Sequence, residues 1–200
     1  MIAVIDYGAG NIFSIKNALD YLGLESKLTS DIDFIKNADA VILPGVGAFP
    51  SAMKMLGQSG LVETIREEAG KKPFLGICLG MQMIFEKGYE FEECDGLGLI
   101  SGSVVKMEEP ELIIPHMGWN KLEVLNPCKL TENIGDNAFV YFVHSYKAVT
   151  SDRNISAYSE YGGKVPALVH DGKYVYGCQF HPEKSGETGL QILRNFAGLI

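Results

Sequence analysis

The sequence predicts an α/β fold in which a central, mostly parallel sheet is flanked by helices. In the first half, short and nearly all-apolar runs alternate with segments of helical periodicity, a pattern typical of a parallel sheet covered on both faces. In the second half the runs become short and alternating, which predicts an additional antiparallel region of strands. The sequence has no linker, repeat or low-complexity segment, so we expect a single domain over residues 1–200.

The first half is predicted to consist of repeated strand and helix units. Asn11 is a good helix cap after the first strand, and Gly23 is a good stop for the helix that follows. The strands are expected over residues 2–6, 25–29, 40–43 and in the run before Cys78. The helices are expected over residues 12–22, 33–38, 61–68 and 79–86. Ligands of such sheets bind at the carboxyl ends of the strands.

The second half is predicted to contain short strands and one final helix. Asp171 and Gly172 join the last two strands, and this dipeptide is typical of a hairpin. An amphipathic helix is expected from Ser185 onward. The strands are expected over residues 103–107, 121–124, 139–148, 156–161, 167–170 and 174–179.

Composition and charge exclude several classes of function. A formal net charge of -8 without a cluster of basic residues argues against nucleic acid as the main ligand. The sequence shows neither a signal peptide nor an apolar run of membrane-spanning length, so we expect a cytoplasmic protein with no membrane role. The four cysteines lack the spacing of a zinc site or a CxxC redox motif. We therefore expect reduced thiols, no metal and no cofactor.

Cys78 stands in the segment GICLGMQ, where an apolar run gives way to a helical pattern. Glycines two positions away on each side of such a turn permit a strained backbone, which presents the central side chain at the end of a sheet. The amides that open the following helix would stabilise a thiolate there. Cys78 is therefore a candidate nucleophile. The alternative is a small buried cysteine, which is common in protein cores.

His181 and Glu183 are the candidate base and orienting group for this nucleophile. They flank Pro182 directly after a predicted strand, and extended backbone before a proline directs positions i and i+2 to the same side. Glu183 would then hold the tautomer of His181 and stabilise the imidazolium that forms when the thiol proton is taken. The alternative is a surface histidine beside a turn proline, with a solvated glutamate.

The loop Gly45, Val46 and Gly47 follows another apolar strand and is expected beside Cys78 if the two strands are neighbours. Glycines in such a loop allow a peptide plane to rotate until its N–H group faces a developing oxyanion. The alternative is a plain turn. The presence of three such elements at strand ends favours a nucleophilic active site.

Three motifs together resemble those of the class I, triad-type glutamine amidotransferases: GICLGMQ, PGVGAF and HPEKSG. The resemblance implies a flavodoxin-like α/β fold and a triad of Cys78, His181 and Glu183 that hydrolyses the side-chain amide of glutamine. It also implies that backbone N–H groups of Leu79 and of the Gly45, Val46 and Gly47 loop hold the oxyanion. The residues implied to hold glutamine are Gln82, Glu90, Ser145 and Tyr146.

Further motifs are similar to one branch of that family: DYGAGN, PHMGWN, YFVHSY and Lys184. The resemblance implies a heterodimer in which ammonia passes to a barrel-shaped (β/α) cyclase subunit. That subunit makes imidazole glycerol phosphate and aminoimidazole carboxamide ribotide in histidine biosynthesis. A lone tryptophan is a typical interface anchor, although a core tryptophan is the alternative. The implied partner interface comprises Asn11, Pro115, His116, Met117, Trp119 and Lys184.

Two other functions remain open from the sequence. One is a glutaminase that serves another ammonia-transferring synthase, such as one that makes pyridoxal phosphate. The other is a non-catalytic stress sensor in which Cys78 responds to oxidation. We also hypothesise that the β-branched Val46 holds its peptide plane turned away from the oxyanion until the partner's ligand is bound, which would prevent wasteful hydrolysis of glutamine.

Overall fold

A computed structural model of the chain describes residues 1–108 and 112–200, which form six α-helices and fourteen strands. Among the helices of these residues, none is long and apolar enough to cross a membrane. The helices are α1 (Ile12–Tyr21), α2 (Ile32–Asn37), α3 (Phe49–Gln58), α4 (Val62–Ala69), α5 (Leu79–Met83) and α6 (Gly186–Ala197). The strands are β1 (Ile2–Ile5), β2 (Ser26–Thr29), β3 (Ala40–Gly45), β4 (Phe74–Cys78), β5 (Phe85–Gly88), β6 (Cys94–Asp95), β7 (Ile100–Lys106), β8 (His116–Lys121), β9 (Glu123–Val124), β10 (Phe139–His144), β11 (Tyr146–Val149), β12 (Ile155–Glu160), β13 (Lys164–His170) and β14 (Val175–Cys178).

The main sheet has eight strands in the order β2, β1, β3, β4, β14, β13, β12 and β9. The first five are parallel, and the last three continue the sheet in antiparallel pairing. Every residue of β1, β3, β4 and β14 is buried, as expected for strands covered on both faces. The predicted α/β fold with a mostly parallel sheet and a later antiparallel region is confirmed.

Two small sheets lie outside the main one. One pairs β8 with β10, and the other contains β11, β7, β5 and β6. The prediction of one continuous strand over residues 139–148 is wrong, because the chain leaves β10 at His144 and enters β11 at Tyr146, in a different sheet. Ser145 is the corner between them. The corner places a short irregular segment next to the active site.

The helix that follows Cys78 is shorter than predicted, and the expectation that it reaches residue 86 is wrong. It ends at Met83, and the chain then enters β5 at Phe85. The carbonyl of Met83 accepts from the N–H of Leu97, and that of Ile84 accepts from the N–H of Leu99. Because these carbonyls bond to another segment, they cannot continue the helical ladder. Helix α3 was not predicted from the sequence.

The core lies on both faces of the main sheet, because successive side chains of a strand point in opposite directions. On one face Ile5 belongs to a cluster with Leu56 of α3. On the other face Val4 belongs to a cluster with Leu19 of α1 and Phe196 of α6. Each fully buried leucine or phenylalanine contributes roughly 2 kcal/mol to folding, so the two layers of helices hold the sheet firmly.

Helix α5 lies in backbone contact with strands β3 and β4. A Cβ atom on Gly80 would collide with the carbonyl oxygen of Leu43 in β3. A Cβ on Gly45 would lie 2.6 Å from the nitrogen of Gly80, and one on Gly76 would lie 2.6 Å from its oxygen. Glycine is required at all three positions because any side chain would push the helix away from the sheet.

We predict that Gly80→Ala destabilises the fold by about 2 kcal/mol or more, because the added methyl must displace the backbone of β3. At Gly57 in α3, a Cβ would meet no described atom within 4 Å. Gly57→Ala is therefore the matched control and should stabilise the fold by up to about 1 kcal/mol. Urea unfolding followed by circular dichroism measures both free energies, and equal stability of the two variants would contradict the close contact.

Candidate active site

Cys78 occupies the last position of β4, and α5 begins at the next residue. Its φ of 56° and ψ of −112° are a conformation that residues with a side chain rarely adopt. Such strain is typical of a nucleophile held in one fixed orientation at the end of a sheet. The predicted strand-to-helix turn is therefore present, and the side chain of Cys78 lines a cavity.

His181 and Glu183 form a buried pair beside this turn. His181 Nδ1 lies 2.8 Å from Glu183 Oε1, and the two side chains are almost completely buried. The alternative of a surface histidine with a solvated glutamate is therefore wrong. Because the carboxylate bonds Nδ1, the opposite nitrogen Nε2 is left to serve the thiol, as the triad requires.

The hydrogen bonds of His181 set its protonation state. Burial lowers its pKa, but hydrogen bonds to the sulfur of Cys78 and to the carboxylate of Glu183 outweigh burial and raise the pKa to about 10. At neutral pH the imidazole is therefore held as imidazolium between the sulfur of Cys78 and the carboxylate of Glu183. This arrangement favours a thiolate on Cys78 as the nucleophile.

Asn11 supports the triad, a role that sequence reasoning did not assign to it. Its Nδ2 donates to Glu183 Oε1 over 3.2 Å, and its Oδ1 accepts from Ser14 Oγ over 2.7 Å. The helix does begin at the next residue, as predicted, but the Asn11 side chain serves Glu183 rather than a cap. The contact joins residues 172 positions apart, and no local pattern signals it.

Ser185 is a second residue that the sequence did not reveal as part of the site. Its hydroxyl donates to the carbonyl of His181 over 2.6 Å and accepts from the N–H of Tyr141 over 2.9 Å. The N–H of His181 donates to the carbonyl of Tyr141 over 3.0 Å. These bonds fasten the turn that carries the triad to β10.

The predicted oxyanion loop lies next to Cys78. Gly45 at the end of β3 is directly opposite Cys78 in the sheet register, which confirms that the two strands are neighbours. Gly47 has a φ of +95°, which only glycine adopts readily. Val46, Gly47 and Leu79 line the same cavity as the thiol. The predicted oxyanion residues are thus within one small region.

One cavity of about 330 Å³ brings most of the predicted site residues together. It opens beside Cys78 and His181, at the carboxyl ends of β3 and β4. The cavity volume is suited to a substrate the size of an amino acid. The residues predicted to hold substrate all line it: Gln82, Glu90, Ser145 and Tyr146.

Gln82 and Glu90 are both anchored to the protein. Gln82 Nε2 donates to the carbonyl of Tyr146 and to Gln179 Oε1, each over 3.0 Å. Glu90 Oε2 accepts from the N–H of Phe49 over 2.7 Å, at the start of α3. The amide nitrogen of Gln82 is therefore used to fix the cavity wall, and Glu90 adds a fixed negative charge to that wall.

The family model described as glutamine amidotransferase class-I matches residues 3–198. The chain belongs to the class-I glutamine amidotransferases.

The imidazole glycerol phosphate synthase subunit HisH of Bacillus thuringiensis is 50% identical over 201 residues, which cover 100% of this chain and 95% of that protein. The subunit of the same name from Listeria monocytogenes is 50% identical, with 98% and 94% covered. A solved structure of a putative GMP synthase protein from Thermoplasma acidophilum is 25% identical, with 99% and 92% covered and a TM-score of 0.74.

Of the predicted partner-interface residues of this amidotransferase, Pro115 lines the cavity. Pro115 and Lys184 are exposed, Met117 is 58% exposed and Trp119 is 54% exposed, so the alternative of a core tryptophan is wrong. Asn11 is partly exposed. The ring of Trp119 meets that of Tyr141 edge-on, with 6.1 Å between centroids.

His116 departs from this group, because its side chain is completely buried. It lies in β8 between the exposed Met117 and the exposed Pro115, and its ring points inward. Alternation along the strand explains the difference, since neighbouring side chains face opposite sides. The expectation that His116 contacts a partner directly is therefore wrong for its side chain, which supports the surface from beneath.

We predict that Glu183→Gln lowers the kcat for glutamate release by about a hundred-fold or more, because a neutral amide cannot stabilise the imidazolium of His181. The matched control is Glu187→Gln, in the first turn of α6, where the carboxylate is largely exposed and pairs with Arg194. The control should stay within about two-fold of the unsubstituted chain. Similar kcat values for the two variants would remove Glu183 from the triad.

Proposed function

We propose that this amidotransferase hydrolyses glutamine to glutamate and ammonia through a thioester on Cys78. The arrangement of Cys78, His181 and Glu183 at one cavity carries the proposal. The thiolate attacks the carboxamide carbon of glutamine and forms a tetrahedral oxyanion. As the C–N bond breaks, the imidazolium of His181 gives its proton to the departing nitrogen, and ammonia leaves.

Water completes the reaction. It attacks the thioester carbon while His181 takes one of its protons, the C–S bond breaks, and glutamate and the thiolate are released. In both steps the oxyanion is held by backbone N–H groups of Leu79 and of the loop that contains Val46. One such donor contributes about 3 kcal/mol in the transition state.

Recognition of glutamine is assigned to the opposite wall of the cavity. The carboxylate of Glu90 is fixed by Phe49 and offers a negative charge to the α-amino group of the substrate. Ser145 and Tyr146 form a corner whose backbone and side chains face the rest of the amino acid. Gln82 holds this corner to helix α5, which also carries the amide of Leu79.

The released ammonia is proposed to pass directly to a partner, the cyclase subunit of imidazole glycerol phosphate synthase. The relatives that are 50% identical over nearly their whole length carry the name of a subunit of that enzyme. Ammonia in neutral water becomes ammonium, which is a poor nucleophile, so direct transfer protects the product. The cyclase uses this ammonia to make imidazole glycerol phosphate and aminoimidazole carboxamide ribotide in histidine biosynthesis.

The surface around the cavity mouth is the proposed docking face for the cyclase. We define the docking face as Asn11, Phe13, Val46, Pro115, Met117, Trp119 and Lys184. Val46 and Pro115 line the cavity, and Phe13 and Val46 line a neighbouring hollow, so part of the docking face borders the active site. Exposed aromatic and methionine side chains of this kind are typical of interface cores.

Glutamate release by the purified chain tests the proposal. We expect negligible release by the chain alone, a strong increase with the cyclase subunit and its nucleotide ligand, and none with Cys78→Ala in any mixture. Fast release by the chain alone would retain the triad but contradict the gating assigned to Val46. Inactivity in every mixture would contradict the proposed function and favour an oxidation sensor.

We predict that Trp119→Ala raises the Kd of the complex by about ten-fold or more, because central aromatic anchors dominate interface energies. The isolated variant should stay folded, since more than half of the side chain is exposed. Tyr174→Ala is the matched control, an exposed aromatic at the opposite end of the strands, where its carbonyl accepts from the N–H of Phe74. Calorimetric titration with the cyclase measures both values, and equal Kd values would contradict the docking face.

A further inference from the structure

Two of the four histidines of the chain form a buried, hydrogen-bonded pair that the reaction above does not use. His116 Nδ1 lies 3.0 Å from His144 Nε2. His144 Nδ1 lies 2.8 Å from the carbonyl oxygen of Tyr146, and His116 Nε2 lies 2.8 Å from the Oδ1 position of Asn120. Three hydrogen bonds in series therefore connect β8 to the start of β11.

A neutral imidazole carries one proton, and this fixes which atom donates in each of these hydrogen bonds. The carbonyl of Tyr146 can only accept, so His144 carries its proton on Nδ1. A neutral His144 then accepts at Nε2, and His116 must carry its own proton on Nδ1. The remaining nitrogen of His116 is an acceptor, so the Asn120 group that faces it must be the amide N–H rather than the oxygen.

Burial keeps both imidazoles neutral, as the assignment of one proton to each ring requires. Burial lowers the pKa of His144 to about 3; the hydrogen bond to Tyr146 opposes this shift, and the nearby His116 and His181 add to it. Burial also lowers the pKa of His116. With neither ring charged, the three bonds all donate in one direction, from Asn120 toward Tyr146.

Stacking holds the His116 ring in its orientation. The ring lies between Phe142 and Tyr161, with centroid distances of 4.6 and 4.0 Å and nearly parallel planes. The hydroxyl of Tyr161 donates to the carbonyl of Ile113 over 2.7 Å, which fixes that ring in turn. The two stacked rings therefore fix the plane of the His116 ring, and with it the directions in which its nitrogens point.

The series of hydrogen bonds ends at the corner formed by Ser145 and Tyr146, which is proposed to hold glutamine. The Tyr146 carbonyl accepts from both Gln82 Nε2 and His144 Nδ1, and the Ser145 carbonyl accepts from the N–H of Met107. Both carbonyls of the corner are thus held by protein donors, which fixes two peptide planes at the cavity wall. At its other end, Asn120 directly follows Trp119 of the docking face.

We propose that His116, His144 and Asn120 are positioning residues that act through the Tyr146 carbonyl to orient the glutamine-binding corner and to connect it with the docking face. The inference rests on the proposed function, because its readout is the KM for glutamine. His116 does not line the cavity, so its substitution removes no contact with a ligand bound there.

His116→Phe keeps the aromatic stack and removes the hydrogen bonds. With the cyclase subunit saturating, we expect the KM for glutamine to rise about ten-fold and kcat to change by less than about three-fold. His170→Phe is the matched control, because His170 is also stacked on a tyrosine, at 4.0 Å from Tyr176, but lies on the hairpin away from the cavity. This control should leave both constants unchanged.

Asn120→Asp tests the direction of the bonds. A carboxylate cannot donate to the bare Nε2 of His116, so we expect that nitrogen to take up a second proton and His116 to become an imidazolium. If the Asn120 oxygen faced His116 instead, Nε2 would carry a proton already in the unsubstituted chain, and the variant would leave the protonation of the ring unchanged, which would overturn the proposed polarity.

Nitrogen-15 NMR of the imidazoles tests the same point in the unsubstituted chain and needs no variant to fold. We expect His116 and His144 each to carry a single proton on Nδ1 at neutral pH, and His116 to become doubly protonated in Asn120→Asp. A proton on Nε2 of either ring in the unsubstituted chain would overturn the inference. Active enzyme with an unchanged KM in His116→Phe would overturn the inference alone, whereas an inactive unsubstituted complex would overturn the proposed function as well.

Discussion

The backbone contact between helix α5 and strands β3 and β4 is the constraint on which the active site depends. Glycines at positions 45, 76 and 80 allow this contact, and Cys78 occupies the strained residue between strand and helix. The same contact sets the amide of Leu79 and the oxyanion loop beside the thiol. A side chain at any of the three glycines would move the proposed nucleophile and the proposed oxyanion donors apart, so the two form one structural unit.

The base is positioned by contacts from several elements rather than by its own turn. Tyr141 of β10 and Ser185 hold the backbone of His181, while Asn11 at the start of α1 adds a donor to the carboxylate of Glu183. Asn11 belongs to the proposed docking face, and Ser185 directly follows Lys184 of that face. Binding of a partner at that face would therefore act directly on the supports of the triad, which gives the proposed gating a physical route.

The sequence predicts those parts of the site that local pattern can encode. The glycines around Cys78 and the extended backbone before Pro182 identify the nucleophile and its base, because short stretches of chain determine their geometry. The support from Asn11, the corner at Ser145 and the inward position of His116 could not be predicted. Each depends on strand pairing or on a contact between distant segments, and the apolar pattern of residues 139–148 is equally compatible with one strand or two.

The central claim is that hydrogen bonds to Cys78 and to the carboxylate of Glu183 hold His181 as an imidazolium. NMR titration of the His181 ring in the unsubstituted chain and in Cys78→Ala tests it most directly. The account predicts a raised pKa, about 10, for His181 in the unsubstituted chain and a clear fall in the variant, since burial is then opposed by Glu183 alone. A His181 that titrates near its ordinary value, unchanged by the loss of the thiol, would contradict the account.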